Sequence, residues 1–147
     1  MSIPKNKDLE LDTYVKLMRA SESLTARIHR HLAASTLTIS QFGVLEALHH
    51  LGPLTQKEIG IKILRSGGNV TLVVDNLEKR HLVERKRHKN DRRSFVIHLT
   101  TRGKKLIKAV FPRHANLVME AFSILSTAEQ EQLGWLCKKI GLQRMDS

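Results

Sequence analysis

The chain of 147 residues has one cysteine, few aromatic residues and no long apolar run. A single cysteine, Cys137, excludes an intramolecular disulfide framework. Aromatic residues make up only 4% of the sequence, which argues against the clustered aromatic surface that stacks single-stranded bases. No apolar stretch approaches the roughly twenty residues of a membrane-spanning helix, and residues 1–12 lack the apolar segment of a signal peptide. These absences predict a cytoplasmic protein with no membrane partner.

Acidic residues are also scarce, since 25 Lys and Arg face 14 Asp and Glu for a formal net charge of +11. The imbalance is concentrated in residues 79–108, which hold twelve basic residues and two acids, or about +10 of that charge. A surface that only has to be solvated mixes the two signs, whereas so one-sided a block repels itself unless it meets an anion. The composition therefore indicates nucleic acid first and an anionic membrane surface second.

The sequence gives no support for catalysis or for a cofactor. It contains no Gly-rich phosphate loop and no metalloprotease-type His-Glu spacing. Cys137 falls on an apolar helical stripe, so we expect a buried structural thiol rather than a reactive one. Some of the eight histidines could approach one another where the long helices meet the basic segment: His29, His49, His50 and His114. Their spacing matches no closed zinc motif, so we expect no metal site.

The segment 65–80 predicts a helix with one apolar face. Ser66 is a suitable N-cap. Apolar residues then recur at i, i+3, i+4 and i+7: Val70, Val73, Val74 and Leu77. The opposite face carries polar residues together with Leu72, which points away from the apolar stripe. On its own this pattern also fits an ordinary amphipathic surface helix.

A β-hairpin with a basic tip follows that helix. Residues 95–99 form a short apolar run rich in β formers and predict a strand, and residues 81–85 predict a weaker strand that pairs with it. Between the two strands, Asn90 and Asp91 can close a tight turn through hydrogen bonds from side chain to backbone. Most of the basic residues of this part of the chain therefore lie on or near a narrow loop.

Helices are predicted on both sides of this region. Thr38 with Gln41, and Thr55 with Glu58, have the spacing of capping boxes that open two short helices. A long helical pattern covers residues 8–34, and a second covers residues 101–123, where Pro112 predicts a kink or an interruption at residues 108–111. Ser126 with Glu129 has the spacing of a third capping box, which opens a last helix that ends near Gly141.

A capped helix followed by a basic hairpin is complementary to B-DNA, because a helix fits the major groove and an Arg-bearing loop reaches the minor groove. The chain resembles the MarR-type bacterial transcriptional regulators in residues 66–85, in the turn 91–93 and in the Leu-Thr-Thr-Arg-Gly sequence at 99–103. The resemblance covers nearly the whole chain. It implies a mainly α fold with a small β-hairpin wing: one chain, 1–147, with a winged helix-turn-helix lobe at 37–100 and dimerisation helices at 8–34 and 101–143.

The candidate DNA-binding residues follow from this arrangement. Helix N-termini favour phosphate, and base edges are read from the first turns of the recognition helix. The candidates outside the hairpin are Gln41, Gln56, Lys57, Ser66, Asn69, Thr71 and Leu72. Relatives often carry a basic residue at the position of Leu72, so leucine indicates apolar contact with a thymine methyl group. The alternative is that Leu72 packs on a neighbouring helix.

The hairpin supplies the remaining candidates. The resemblance makes Arg92 a minor-groove residue, with Asp91 holding its geometry by an ion pair or by shaping the turn. We expect Arg87, Lys89 and Arg93 to bind phosphates. The family further implies a homodimer on a pseudopalindromic operator, acting as a repressor that responds to a small aromatic or phenolic effector. A metal- or redox-responsive regulator of the same fold and a non-specific architectural DNA-binding protein remain as alternatives.

Overall fold

The structure, a computed structural model, describes residues 5–63, 70–91 and 93–142. The described part is mostly helical with a small three-stranded antiparallel sheet, which confirms the predicted mainly α fold. In chain order its elements are α1 (Lys5–His29), a 3₁₀ helix (Arg30–Ser35), α2 (Ile39–Leu51), β1 (Leu54–Thr55), α3 (Gln56–Ile63), α4 (Val70–Lys79), β2 (Val83–Arg87), β3 (Phe95–Leu99), α5 (Thr101–Phe122) and α6 (Thr127–Gly141).

The first long helix ends earlier than its apolar pattern predicts. An α-helix was expected through residue 34, but α1 stops at His29 and the chain tightens into a 3₁₀ helix. This tighter segment ends at Thr36, whose φ of 51° is left-handed, and its backbone N–H binds Ala33 O. Within it, Leu32 is 2% exposed and belongs to the core. The apolar spacing therefore predicted the burial of Leu32 correctly, although this segment is a 3₁₀ helix and not an α-helix.

The first half of the DNA-binding lobe has the predicted caps and one strand that was not predicted. Thr38 and Gln41 form the expected capping box at the start of α2. The Thr55 hydroxyl accepts from the Glu58 N–H as expected (3.2 Å), but the Glu58 carboxylate accepts from that hydroxyl (3.1 Å). Leu54 and Thr55 also form β1, which pairs with β3. A strand of two residues has no sequence pattern of its own and is recognised only by its pairing with β3.

The sheet has the order β1–β3–β2, with the predicted strand 95–99 at its centre. The register of the hairpin pairs Val83 with Leu99 and Arg87 with Phe95. Its inner residues join a core built from α2, α3, α4 and α5, whose largest fully buried members include Phe42, Leu45, Ile59, Leu77, Ile97 and Ile107. The wing is therefore attached to the core at its base and projects at its tip.

Of the kink or interruption predicted at residues 108–111, the interruption is wrong, because α5 runs from Thr101 to Phe122 as one helix. Proline removes one backbone donor but does not have to end a helix whose two halves are held by packing. Val110, two residues before the proline, is 8% exposed, and the His114 ring packs on Phe42 with 4.5 Å between centroids. Pro112 itself is exposed.

Helix α6 has no buried residue. Its Ser126–Glu129 capping box forms as predicted. Cys137 is exposed within the subunit, contrary to the expectation of a buried thiol, because none of the described elements covers the apolar stripe on which it lies. Every helix in the described residues is too short or too polar to cross a membrane.

Candidate nucleic-acid interface

Helix α4 packs its apolar face on the core and exposes the other. As the periodicity predicts, Val74 and Leu77 are both 0% exposed, and Val70 and Val73 are partly buried against the same core. Leu72 is 51% exposed, so the alternative in which it packs on a neighbouring helix is wrong within the subunit. Thr71 beside it is also exposed. The outward face of α4 thus presents one hydroxyl and one large apolar group to the surroundings.

Two of the predicted contact residues bind each other. The Gln56 side-chain amide donates to the Thr71 hydroxyl at 2.6 Å, which joins the first turn of α3 to α4. The side-chain carbonyl of Gln56 and the Thr71 methyl remain available to an outside partner. Lys57, the next residue, is exposed. Sequence reasoning selected both members of the pair but did not foresee the bond, which spans fifteen residues.

The Gln41 side chain forms part of the N-terminal cap of α2. Its Oε1 accepts from the Thr38 backbone N–H at 3.0 Å, and its own N–H donates to the Thr38 hydroxyl at 3.1 Å. The amide nitrogen of the side chain is left for other partners. Gln41 is half-buried, and a contact with DNA would use this donor.

Asp91 shapes the tip of the wing. Its Oδ1 accepts from the Arg93 N–H at 2.9 Å and its Oδ2 accepts from the Ser94 hydroxyl at 3.0 Å. These bonds stabilise the carboxylate and hold the pKa of Asp91 below its usual value. Asn90 contributes its backbone N–H, which lies 3.1 Å from the His88 ring. Asp91 therefore closes the turn as predicted.

The other residues of the tip are solvent-exposed cations. Arg87, Lys89 and Arg93 are all exposed, and none of them has an ion-pair partner among the described residues. Three predicted contact residues lie outside the described residues: Ser66, Asn69 and Arg92. The described part of the tip thus has the properties of a phosphate-binding loop, with an ordered turn and free positive charges.

Arg85 differs from the other basic residues of the wing. Its guanidinium contacts Asp75 Oδ1 at 2.5 Å and Glu78 Oε1 at 3.0 Å, and its backbone N–H donates to Glu78 Oε2 at 3.1 Å. Sequence analysis had counted Arg85 only as part of the basic block. The available signal was a pair of acids three residues apart on a predicted helix, followed by a strand carrying arginine.

The Leu-Thr-x-x-Gly motif joins the wing to α5. The Thr100 hydroxyl donates to His81 O at 2.6 Å and accepts from the Gly103 N–H at 3.0 Å. A Cβ at Gly103 would lie 2.0 Å from Leu82 O, so only glycine lets the helix approach the wing base this closely. His81 adopts a left-handed φ of 59° in the same junction. The motif is thus a packing device for the wing.

A crevice of about 630 Å³ opens between α1, α2 and α5, and the end of α3 also lines it. Its lining is largely apolar and includes Phe42 and Phe122, and its polar residues are His29, Ser40, Glu46, His50, Lys62 and His114. Burial, and then the neighbouring His29 and His31, lower the pKa of His114 to about 4. Sequence analysis named His29 and His114 as possible neighbours, and their ring centroids are 5.5 Å apart.

The contacts of the remaining histidines differ from those expected. His31 joins His114, with 3.4 Å between their ring nitrogens, although sequence analysis did not name it. His49 and His50 instead pack around Phe111. No three His, Cys, Asp or Glu side chains in the described part of the chain are arranged to hold a metal ion.

An exposed recognition-helix face beside a basic hairpin on a helical core defines a winged helix-turn-helix DNA-binding protein. The model of the MarR family matches residues 37–95. Over 132 residues the chain is 36% identical to the HTH-type transcriptional regulator MhqR of Bacillus subtilis, covering 90% of this chain and 91% of MhqR. The chain belongs to the MarR family of transcriptional regulators, as the resemblance predicted. It is a DNA-binding regulator of transcription.

More distant relatives and solved structures agree with this result. The transcriptional repressor MprA of Escherichia coli is 36% identical over 89 residues, which cover 60% of this chain and 50% of MprA. Sco3205 of Streptomyces coelicolor, solved in complex with DNA, has the same fold with a TM-score of 0.83 at 22% identity, covering 100% of this chain and 94% of that one. BpsR of Bordetella bronchiseptica, whose DNA binding is regulated by 6-hydroxynicotinic acid, matches with a TM-score of 0.78 at 25% identity, covering 88% and 98%.

Proposed function

We propose that the protein is a homodimeric, ligand-responsive repressor that acts in the cytoplasm on a pseudopalindromic operator. The observation that carries the DNA-reading part is the outward face of α4, where Thr71 and Leu72 are exposed on a helix whose other face packs on the core. A buried face fixes the helix rigidly, and a rigid helix presents the same side chains to every site it meets. Those side chains would lie in the major groove.

The proposed contacts divide into base reading and phosphate binding. The methyl groups of Thr71 and Leu72 would meet thymine methyls, and Asn69 would bind adenine, although it lies outside the described residues with Ser66 and Arg92. Gln56 holds Thr71 in place and can use its free carbonyl oxygen. Phosphate contacts would come from the basic tip and the helix starts: Gln41, Lys57, Arg87, Lys89 and Arg93. Asp91 holds the turn through Arg93 and Ser94, and Arg92 would enter the minor groove.

The homodimer is supported by the exposed apolar residues of the terminal helices. Within the subunit, α6 has fifteen residues and buries none of them. A helix of this length is marginal in water without packing. Its outward apolar residues include Trp135, Leu136 and Ile140, exposed to 59%, 41% and 56%, and α1 exposes Leu11 and Tyr14 as well. A second copy of the chain, bringing the same two helices, would cover both surfaces at once.

The crevice between α1, α2 and α5 supports an effector site. Its volume of about 630 Å³ falls within the range of small-molecule pockets, and its aromatic and aliphatic lining suits an aromatic ring. Lys62 and His29 on the lining would orient an acidic or phenolic oxygen. BpsR, a structural neighbour, is regulated by a molecule of this kind. Because the crevice joins α1 and α5 to α2, an occupant would alter the relation of the long helices to the DNA-binding lobe.

Selection of bound sequences from random duplex DNA tests the proposal. We expect an inverted repeat with half-sites about one helical turn apart, bound about a thousandfold more tightly than random duplex. Thr71→Ala and Leu72→Ala should relax the sequence preference, whereas Arg93→Ala should weaken operator and random DNA alike and lower the salt slope by about one unit per subunit. Equal affinity for selected and random DNA would identify an architectural protein instead.

The effector is tested by titrating 6-hydroxynicotinic acid and simple hydroxybenzoic acids into the operator complex. We expect release of DNA by at least one aromatic acid and loss of that response in Lys62→Ala. Glu58→Ala, another exposed charge of α3 that does not line the crevice, serves as the matched control. Release by zinc or by an oxidant, with no response to any aromatic acid, would favour the metal- or redox-responsive alternative.

A further inference from the structure

We infer that Arg85 is a positioning residue that locks the wing to the recognition helix, so that both elements reach the same DNA site together. It is a different role from that of the exposed cations of the tip, and it rests on the DNA contacts proposed for the wing. Arg85 lies in β2, three residues before His88 at the start of the turn, and its partners lie on α4. The residue thus connects the two elements that are expected to enter different grooves.

The Arg85 guanidinium makes a forked contact with two carboxylates of α4. Asp75 and Glu78 lie three residues apart, so their carboxylates leave the same side of α4. The Arg85 guanidinium contacts the first at 2.5 Å and the second at 3.0 Å, while the Arg85 N–H binds the other oxygen of Glu78 at 3.1 Å. Three bonds from one residue fix both the separation and the rotation of β2 relative to α4.

Burial makes the link stronger than an ordinary surface ion pair. The Arg85 side chain is 18% exposed, against 41% for Asp75 and 43% for Glu78. The ion pair between Lys86 and Glu84 on the same strand has 3.4 Å between its atoms, and its members are 59% and 49% exposed. Exposed pairs of that kind contribute little, whereas a forked guanidinium is geometrically specific. Strand β2 therefore carries one partly buried, forked ion pair at Arg85 and one exposed ion pair at Lys86.

Because Arg85 lies near the base of the wing, a small rotation of β2 at this residue displaces the tip by several ångströms. Asn90, at the tip, lies five residues farther along the chain. At roughly 3.3 Å per residue, the tip is about 16 Å from the lock. A rotation of about 10° at the lock would move the tip by about 3 Å, which exceeds the tolerance of a hydrogen bond to phosphate. Losing the lock should therefore uncouple the wing from a helix that is already docked.

Arg85 also neutralises acids on the DNA-binding helix, and this effect has to be separated from positioning. With arginine removed, Asp75 and Glu78 would bring unpaired negative charge close to phosphates. The variant Asp75→Asn/Glu78→Gln/Arg85→Met removes the acids together with the lock. If charge neutralisation were the whole role of Arg85, this triple variant would bind operator at least as tightly as the wild type.

The experiment is a double-mutant cycle on the full-length protein, using the selected operator. One arm is the triple variant, and the other is Lys89→Ala/Arg93→Ala, which removes two cations of the tip. We expect the triple variant to bind operator about tenfold or more weakly, as for the loss of a charge-assisted hydrogen bond. We also expect the tip substitutions to weaken the triple variant much less than they weaken the wild type. Lys86→Met is the control for the loss of one positive charge from β2.

Each outcome decides between the ideas. Additive effects in the cycle, or wild-type affinity in the triple variant, would overturn the lock while leaving DNA binding by the wing intact. If Lys89→Ala/Arg93→Ala has no effect in the wild type, the proposed wing contacts fail and the lock falls with them. Asp75→Ala alone removes one arm of the fork at a half-exposed position. It should show the same non-additivity on a smaller scale if the triple variant does not fold.

Discussion

The middle of the chain buries most of its large hydrophobic residues within the subunit, whereas the two ends leave many of theirs exposed. All the buried hydrophobic residues in the described part of the chain lie between Ile28 and Val110. Of the sixteen large hydrophobic residues that are exposed there, only four lie in the lobe 37–100: Leu51, Ile61, Leu72 and Phe95. The other twelve lie on α1, on the C-terminal part of α5, between α5 and α6, and on or just after α6. The lobe thus completes its core within one subunit, whereas the ends expose apolar surface that a partner would cover.

This difference separates the origins of stability in the two regions. The lobe is stabilised by contacts within the chain, so its variants should change unfolding at any protein concentration. If the terminal helices are stabilised by a second copy, their variants should act through the monomer–dimer equilibrium and depend on concentration. Substitutions of the same kind in the two regions can therefore test the comparison directly.

The largest effect is expected for Gly103→Ala, at the start of α5 where that helix packs on the base of the lobe. The new Cβ would lie 2.0 Å from the Leu82 carbonyl oxygen, which is backbone and cannot move aside as a flexible side chain would. We expect a loss of about 3 kcal/mol or more in the free energy of unfolding, measured by urea denaturation. Gly134→Ala in α6 is the matched control, because no atom lies within 4 Å of its Cβ in the subunit. Equal destabilisation by both changes would contradict the packing role of Gly103.

A second comparison uses two isoleucines of nearly equal exposure. Ile140 on α6 is 56% exposed and Ile61 on α3 is 59% exposed. If α6 lies in a dimer interface, Ile140→Ala should weaken association by about 1–2 kcal/mol, because it truncates a side chain that the partner buries. Ile61→Ala should leave association unchanged. Sedimentation equilibrium measures both, and a monomeric wild-type protein would refute the proposed homodimer.

Local patterns in the sequence predicted the local structure well. The strand 95–99 has the predicted limits, and the caps at Thr38 and Ser126 form as expected, because strand and cap preferences act within a few residues. The basic turn closed by Asp91 is likewise a local feature. The family could be recognised from such motifs, and the fold followed from the family.

The features that were missed depend on residues far apart in the sequence. The strand β1 exists through its pairing with β3, some forty residues away. His31 reaches His114 across 83 residues. The continuity of α5 through Pro112 depends on packing on both sides of the proline. None of these contacts has a periodic signal, so no single-sequence pattern could have identified them.

Arg80 tests the connection between the two regions and should have a moderate effect. Its guanidinium donates to Thr36 O at 2.9 Å, to Thr36 Oγ1 at 3.1 Å and to Ser35 O at 3.3 Å, joining the end of α4 to the segment that follows α1. Arg80→Met should lower the free energy of unfolding by about 1 kcal/mol, since the bonds are partly exposed and water replaces them in part. Lys79→Met, at the neighbouring exposed position, should change it much less. An Arg80 variant as stable as the Lys79 variant would show that core packing alone holds this junction.

The smallest effect is expected from the pH dependence at His114. Burial and the neighbouring His29 and His31 lower the pKa of His114 from 6.5 to about 4, and burial, followed by His29 and Arg113, also lowers the pKa of His31. Between these two values the unfolded chain binds a proton that the folded chain rejects, so stability falls as pH falls from 6.5 towards 4.

Thermal denaturation across this pH range measures that dependence. His114→Gln should flatten the profile because glutamine cannot take up the proton. His50→Gln, which alters an exposed ring on the other side of Phe111, should keep the wild-type slope. A wild-type slope in the His114 variant would place the proton uptake elsewhere. Because this imidazole cluster lies where α1 and α5 meet α2, a flattened slope would also show that the junction between the two regions contributes to stability.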